Sequence, residues 1–240
     1  MRIVAIIQAR MGSTRLPGKI LRPLAGEPVL LRVIERVRAS NSFDEIVVAT
    51  TVRDIDDPAA DAAADFGATV VRGDESDVLS RYGLGAKVSA ADAIMRITAD
   101  CPLIDPDVLG AMVGLFRTGD ADLVSNCVRR TFPRGLDAEL FSRSALDIML
   151  AEATAPAERE HVTPYLYANP DRFCIVSYEG ARDYSDYRLT LDTPEDFDLL
   201  DRIFAAADDP DTIRLAGVLA LFDAHPEWRS INAHIEQKKI

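Results

Sequence analysis

Apolar residues along the chain alternate between short, near-continuous runs and stripes that recur every three to four positions. The opening run, "RIVAIIQ", predicts a buried strand, β-branched and without polar alternation, as central parallel strands are. Pro28 suits a first helical position, and Val29, Leu30, Val33, Ile34 and Val37 make one apolar helical stripe. "DEIVVAT" (44–50) predicts a second strand. The Ala-rich segment 58–66 predicts a helix closed by Gly67, and "ATVVRG" a third strand. "SDVLSRYGLGAKVSA" follows as a helix and "DAIMRITAD" (92–100) as a fourth strand. An amphipathic helix after Pro106 leads to "ADLVSN" (121–126).

Four successive β-α units dictate an α/β fold, a mostly parallel doubly wound sheet with helices on both faces. The second half is less regular. "LDAELFS" predicts a strand, 142–153 and 159–168 helices, "RFCIVSYEG" and "YRLTLDT" two more strands, and "PEDFDLLDRIFAAA" a helix. With no repeat and no linker, the reading is one domain over 1–240. It has a less regular substrate-side subregion at about 127–185 and a C-terminal arm at about 225–240. Trp228, Ile231 and Ile235 anchor that arm, which reads as docked or as part of a subunit contact.

Charge narrows the function. The chain has 240 residues and a formal net charge of −12, the wrong sign for a general nucleic-acid binder. It has no apolar stretch of membrane-spanning length and no signal-peptide layout. Cys101, Cys127 and Cys174 are widely spaced, with no CxxC pair, and point to free thiols in a cytoplasmic setting.

Against that acidic background, "QARMGSTRLPGKIL" (8–21) packs Arg10, Arg15 and Lys19 into the loop after the first strand. Ligands of open α/β sheets bind beyond the carboxyl ends of the strands, so the position matters. The loop lacks the dinucleotide GxGxxG. It also departs from the phosphate-binding GxxxxGK[ST]: five residues, not four, separate Gly12 from Gly18-Lys19, and Ile20 replaces the Mg2+-holding hydroxyl. Glycines that admit backbone amides, with Arg and Lys, suit a polyphosphate. The plain alternative is a solvated loop whose cations offset acidic neighbours. For Asp100, at the end of the fourth strand, and Asp192, just before a helix start at Thr193, Pro194 and Glu195, two roles stand: metal holding, or turn and cap formation. Asp105 and Asp107 read as caps, and Asp196 and Asp198 as a solvated helix face.

"AIIQARMGSTRLPGKIL" resembles the opening motif of the sugar-acid cytidylyltransferases, the acylneuraminate and 3-deoxy-manno-octulosonate enzymes. Over nearly the whole chain it resembles their relative, the spore-coat polysaccharide biosynthesis protein F family. The resemblance implies a nucleotide-diphospho-sugar transferase (GT-A, Rossmann-like) fold. It also implies CTP bound by Ala9, Arg10, Gly12, Ser13, Arg15 and Lys19, with Asp74 after the third strand lining the same pocket. Arg10, Lys19 and Asp100 would be catalytic, and Asp100 and Asp192, in "RITADCPLID" and "LDTPED", would hold Mg2+. Gln8 and Met11 depart from the family's usual residues without touching the phosphate ligands.

"PRGLDAE" and "EREHVTP" are also typical of the spore-coat family. They supply Arg134, Asp137, Glu139, Arg159 and His161 for an acidic sugar, a cation for its carboxylate and polar groups for its hydroxyls. For His161 the alternative is a helix residue bonded to a carboxylate; His225 and His234 read as structural or solvated. The implied protein is a homodimer that joins CTP to a sugar and releases pyrophosphate. Two alternatives stand beside it: a glycosyltransferase on the same fold, and a non-catalytic nucleotide-binding subunit. No cysteine has a base partner in sequence, so thiol catalysis is not part of the reading.

Overall fold

The computed structural model describes residues 1–236. β1 (Ile3–Gln8) is sealed on both faces, with Ile3, Val4, Ala5, Ile6 and Ile7 fully buried, which is why its sequence shows no polar alternation. The basic loop leads from it into a small antiparallel hairpin, β2 (Pro23–Leu24) and β3 (Glu27–Pro28), then α1 (Val29–Ala39) and β4 (Glu45–Thr51). α2 (Asp57–Asp65) ends at Gly67, whose φ of 74° needs the left-handed region that glycine enters without strain. β5 (Thr69–Gly73), α3 (Val78–Val88), β6 (Ala93–Thr98) and α4 (Pro106–Thr118) complete the regular half. Asp77 caps α3 through the Ser80 amide at 2.9 Å, and Asp105 caps α4 through the Asp107 amide at 2.8 Å.

β7 (Leu123–Ser125) and β8 (Glu139–Ser142) follow, then α5 (Arg143–Glu152), α6 (Pro156–His161), α7 (Pro164–Ala168) and β9 (Ile175–Ser177). α8 (Pro194–Ala206), α9 (Leu215–Ala224) and the short α10 (Arg229–Asn232) close the described chain. The seven strands of the main sheet are ordered β5-β4-β1-β6-β8-β7-β9, and only β8 runs against the rest. Two apolar layers cover the sheet. Ile3, Ala5 and Ile7 face α1, α2, α4 and α8, while Val4 and Ile6 face α3, α5 and α7. β1 therefore keeps the two-residue alternation of a strand even though both faces are apolar. The chain order reverses between β1 and β6, which sets the loops after those two strands side by side at the switch point of the sheet.

Two expected elements differ. "YRLTLDT" is extended but forms only one bridge, Arg188 with Arg134. It crosses the carboxyl edge, bonding through the Leu189 amide to Arg134 O at 2.6 Å and the Leu191 amide to Asp100 O at 2.8 Å. Arg188, Leu189, Thr190 and Leu191 are all buried there, between the loops at the edge and outside the sheet. The expected helix 159–168 breaks at Val162 (φ 73°), because Pro164 cannot donate into a continuing helix and starts the next one. The arm docks as far as it is described: Trp228 is buried, and Asn232 donates to Arg188 O at 3.0 Å and to Asp196 at 2.9 Å. Residues 237–240 of the expected arm lie outside the described residues. Among the described residues no helix is long and apolar enough to cross a membrane.

Candidate active site

The basic loop is closed and ordered. Leu16 and Ile20 plug into the core beneath it, and Gly18 takes a left-handed φ of 68° so that the chain can turn back. The Gly18 amide returns to Met11 O at 3.2 Å, and Ser13 Oγ accepts from the Leu16 amide at 3.3 Å. Buried Asp56 fixes the start of the loop by accepting from the Met11 amide at 2.6 Å and from the Thr51 hydroxyl. Arg10 and Arg15 stay exposed at the mouth, while Lys19 is drawn inward.

Lys19 is the centre of the site. Its ammonium donates to Asp100 at 2.7 Å, to Asp192 at 2.8 Å and to Leu191 O at 2.7 Å. Burial pulls the Lys19 pKa down, but the charges of Asp100 and Asp192 outweigh it and hold the group above its ordinary value. Burial likewise pushes Asp192 up, and the Lys19 charge together with bonds from Lys19 and Arg188 holds its carboxyl below the ordinary range. Arg15 reaches the same carboxylate at 3.1 Å and Arg188 at 2.8 Å. Three segments that are remote in sequence thus converge on one point of positive charge at the switch of the sheet.

Asp196, expected on a solvated face, is fully buried instead. It accepts from the Asp192 and Thr193 amides at 2.9 and 3.0 Å and pairs with Arg188 at 2.9 Å, so it holds the turn that presents Asp192. Thr193 caps α8, and the cap leaves Asp192 free for the site.

The remaining expected residues fall into separate groups. Arg10 makes one long contact, 3.4 Å to Glu75, and lies near His161, whose pKa burial lowers, with Arg96 and Arg10 adding to the effect against Glu160. Arg159 pairs with Asp77, the cap of α3, so α6 is pinned to the same edge. Gly12 also sits against Glu75, while Asp74 is exposed and spends one oxygen on Ser76. Ala9 is buried and bonds to Ala49 O at 3.1 Å. Asp137 is gripped at both oxygens by Arg130, at 2.5 and 3.1 Å. Arg134 lies apart from His161, in the wall of a cavity of about 480 Å³ with Tyr187, Arg188, Phe222 and Arg229. Glu139 is buried under the sheet edge with its oxygens taken by Arg96 at 2.6 Å, Thr163 at 2.8 Å and Tyr167 at 2.5 Å. That is a scaffold position, not an open sugar contact. Burial pushes both the Cys101 and Cys127 thiols up, which removes thiolate chemistry.

A family model described as Cytidylyltransferase matches residues 4–223. The chain belongs to the cytidylyltransferase family. A solved cytidylyltransferase from Leptospira borgpetersenii serovar Hardjo-bovis (strain JB197) superposes with a TM-score of 0.91 at 37% identity, covering 100% of both chains. Spore coat polysaccharide biosynthesis protein SpsF of Bacillus subtilis (strain 168) is 32% identical over 234 residues, 94% of this chain and 95% of that protein. The structure of CMP:2-keto-3-deoxy-manno-octonic acid synthetase complexed with CTP gives a TM-score of 0.68 at 19% identity, over 85% of this chain and 99% of that one. At that identity the likeness speaks to the fold.

Sequence reasoning missed Asp56 and Glu75, which contact the basic loop, and Arg188, which contacts Asp192. Arg188 stood inside "YRLTLDTPED" four residues before Asp192, the spacing at which a side chain returns to the same edge. Asp56 and Glu75 carried no such signal, because their relation to the loop exists only through the β4 and β5 edges.

Proposed function

We propose that this cytidylyltransferase joins CTP to a sugar acid, forming a CMP-sugar and pyrophosphate for polysaccharide synthesis. The observation that carries the reading is the Lys19 ammonium held between Asp100 and Asp192 at the switch point. A sugar hydroxyl oxygen attacks the α-phosphorus, the bond from that phosphorus to the bridging oxygen breaks, and pyrophosphate leaves as the hydroxyl proton passes to solvent. Catalysis of this kind is mostly alignment and charge neutralisation. Arg10 and Arg15 at the mouth and Lys19 beneath them neutralise the β- and γ-phosphates, while Gly12 and Ser13 bring the loop backbone close to them. Arg159 and His161 receive the acidic sugar from the α6 side, and the paired Arg130 and Asp137 with Arg134 border it from the other.

Asp100 and Asp192 fit a hard divalent cation such as Mg2+. Two carboxylates from different segments already share one positive charge, and among the described residues no group of three or more acidic, His or Cys side chains forms a complete cage. Such a pair suits an ion whose remaining ligands are water and phosphate oxygens. When bound there, Mg2+ supplies charge neutralisation at the α-phosphate and acidifies an attacking hydroxyl. A cytoplasmic homodimer of one 240-residue domain completes the reading, and the three unpaired cysteines suit a reducing compartment.

The test is pyrophosphate release with Mg2+ and each nucleoside triphosphate against a panel of sugar acids and neutral sugars. Turnover with CTP and one acid is the expected result. Release of a nucleoside mono- or diphosphate from a sugar nucleotide, with none of pyrophosphate, sinks the proposal in favour of glycosyl transfer.

A further inference from the structure

The support of Asp192 can be followed outward from its carboxylate. Its Oδ1 accepts from Lys19 at 2.8 Å and its Oδ2 from Arg188 Nη2 at 2.8 Å. Arg188 is itself divided between two acids. The same Nη2 donates to Asp196 Oδ2 at 3.0 Å, and Nε donates to Asp196 Oδ1 at 2.9 Å. Asp196 Oδ2 also accepts from the Asp192 amide at 2.9 Å. Backbone and side chain of Asp192 are therefore both set through one buried pair, Arg188 and Asp196.

The outermost link comes from the C-terminal arm. Asn232, on α10, is 4% exposed, and its Nδ2 donates to Arg188 O at 3.0 Å and to Asp196 Oδ1 at 2.9 Å. Among the described residues it is the one buried amide, hydroxyl or charged side chain beyond Asp196. Other contacts already attach the arm. Trp228 is buried, Phe222 packs edge-on against Tyr187 at 4.9 Å, and Arg229 lies over the same ring at 4.4 Å. Burying an amide beside them costs solvation unless its bonds are made, and both bonds go to the pair that supports Asp192. The chemistry is specific to an amide nitrogen, which only donates. An acid of the same shape would set a carboxylate against Asp196, and an aliphatic residue would leave Asp196 Oδ1 one donor short.

We propose that Asn232 is a positioning residue of the cation site: it fixes Arg188 between Asp196 and Asp192, and so holds the Asp192 carboxylate ready to share a divalent cation with Asp100. The inference rests on the reading of Asp100 and Asp192 as the ligands of that cation, and it extends their site to the C-terminal arm. Without the Asn232 amide, Asp196 loses a donor and draws harder on Arg188, which loosens its hold on Asp192. Groups that orient a metal ligand from behind matter about 10- to 100-fold for affinity, and Asn232, one link further out, belongs at the low end.

The test is titration of Mn2+ into the full chain without nucleotide, read by loss of the free-ion electron paramagnetic resonance signal. It compares the wild type, Asp192→Asn, Asn232→Leu and Asn232→Asp, beside the melting of each. The wild type is expected to bind Mn2+, and Asp192→Asn to lose that binding. Both Asn232 variants should bind about 10-fold more weakly at a temperature where they are folded. Pyrophosphate release by them should need correspondingly more Mg2+ and recover the wild-type rate at saturation. Asn232→Leu, apolar and of similar volume, carries the test alone if the buried acid of Asn232→Asp prevents folding. Wild-type Mn2+ affinity in the folded Asn232 variants overturns the inference, whatever the change in Tm, and leaves Asn232 a residue that only docks the arm. A wild type that binds no Mn2+, or binding that survives Asp192→Asn, overturns the cation reading and the inference together.

Discussion

The two halves of the sheet hold their charges differently. In the parallel half, the carboxylates at the edge meet cations carried on the basic loop: Lys19 bridges Asp100 and Asp192, Arg15 reaches Asp192 from an exposed position, and Arg10 touches Glu75 only at 3.4 Å. In the antiparallel half, charges are locked. Glu139 is met by Arg96, Thr163 and Tyr167 at once, and Asp137 by both nitrogens of Arg130. The same residue types therefore do opposite work. An ion pair with exposed cations at its mouth keeps charge within reach of a ligand, whereas one closed inside the sheet fixes geometry. The presence of acidic and basic residues in a motif does not separate these cases; the exposure of the cations around them does.

Asp100→Asn should break the comparison most sharply on the active side. It keeps the shape of the side chain and removes one of the two charges that share Lys19, while Asp192 and Leu191 O still hold the ammonium. Turnover by pyrophosphate release should fall on the order of 10²- to 10³-fold, the range seen when one preorganised electrostatic contact is lost. The melting temperature should move by no more than about 3 °C. A melting loss large enough to explain the missing activity would make Asp100 a scaffold residue.

Glu139→Ala should show the reverse pattern. It strands Arg96, whose Nε already lacks a partner, in the interior, and leaves Thr163 and Tyr167 without their acceptor. Breaking a buried pair in this way costs about 3–5 kcal/mol. Denaturant unfolding reads that loss, and turnover per folded molecule at low temperature should stay within about threefold of wild type, below ~1 kcal/mol of barrier. A large KM increase with stability intact would return Glu139 to the sugar pocket.

The same distinction explains what the sequence disclosed. Hydrophobic period alone gave the parallel half, because each β-α unit buries its own stripe and announces its turn with Gly67, Asp77 or Pro106. "YRLTLDT" misled because its apolar alternation matches a strand, whereas a segment pressed over the sheet edge buries Arg188, Leu189, Thr190 and Leu191 in succession. Lys19, Asp100 and Asp192 were legible as a set only through family resemblance, since they meet across 81 and 173 residues of sequence. Asp196 read as solvated because a helix with acidic residues in its first turn normally turns them outward. Here the Arg188 guanidinium, supplied by the preceding segment, draws it in.

The smallest effect, and the one that sharpens the comparison furthest, concerns His161 at the seam between the halves. Burial, with Arg96 and Arg10 nearby, holds its pKa below the ordinary 6.5. In the unfolded chain the imidazole takes up a proton as pH falls through about 6.5, while the folded site resists until lower pH. The unfolded state then binds more protons, so this contribution to stability is complete above that pH and is lost as pH falls through the lowered folded value. His161→Gln should flatten the fall in melting temperature between about pH 7 and 5, by no more than about 1 °C because the ring is partly exposed. A sugar carboxylate bound beside it reverses the sign. The ligand favours the imidazolium, so KM for the acid should decrease on mild acidification in the wild type and stay level in His161→Gln. A level KM in both proteins would leave His161 as a packing residue of α6 and move the carboxylate's partner to Arg159.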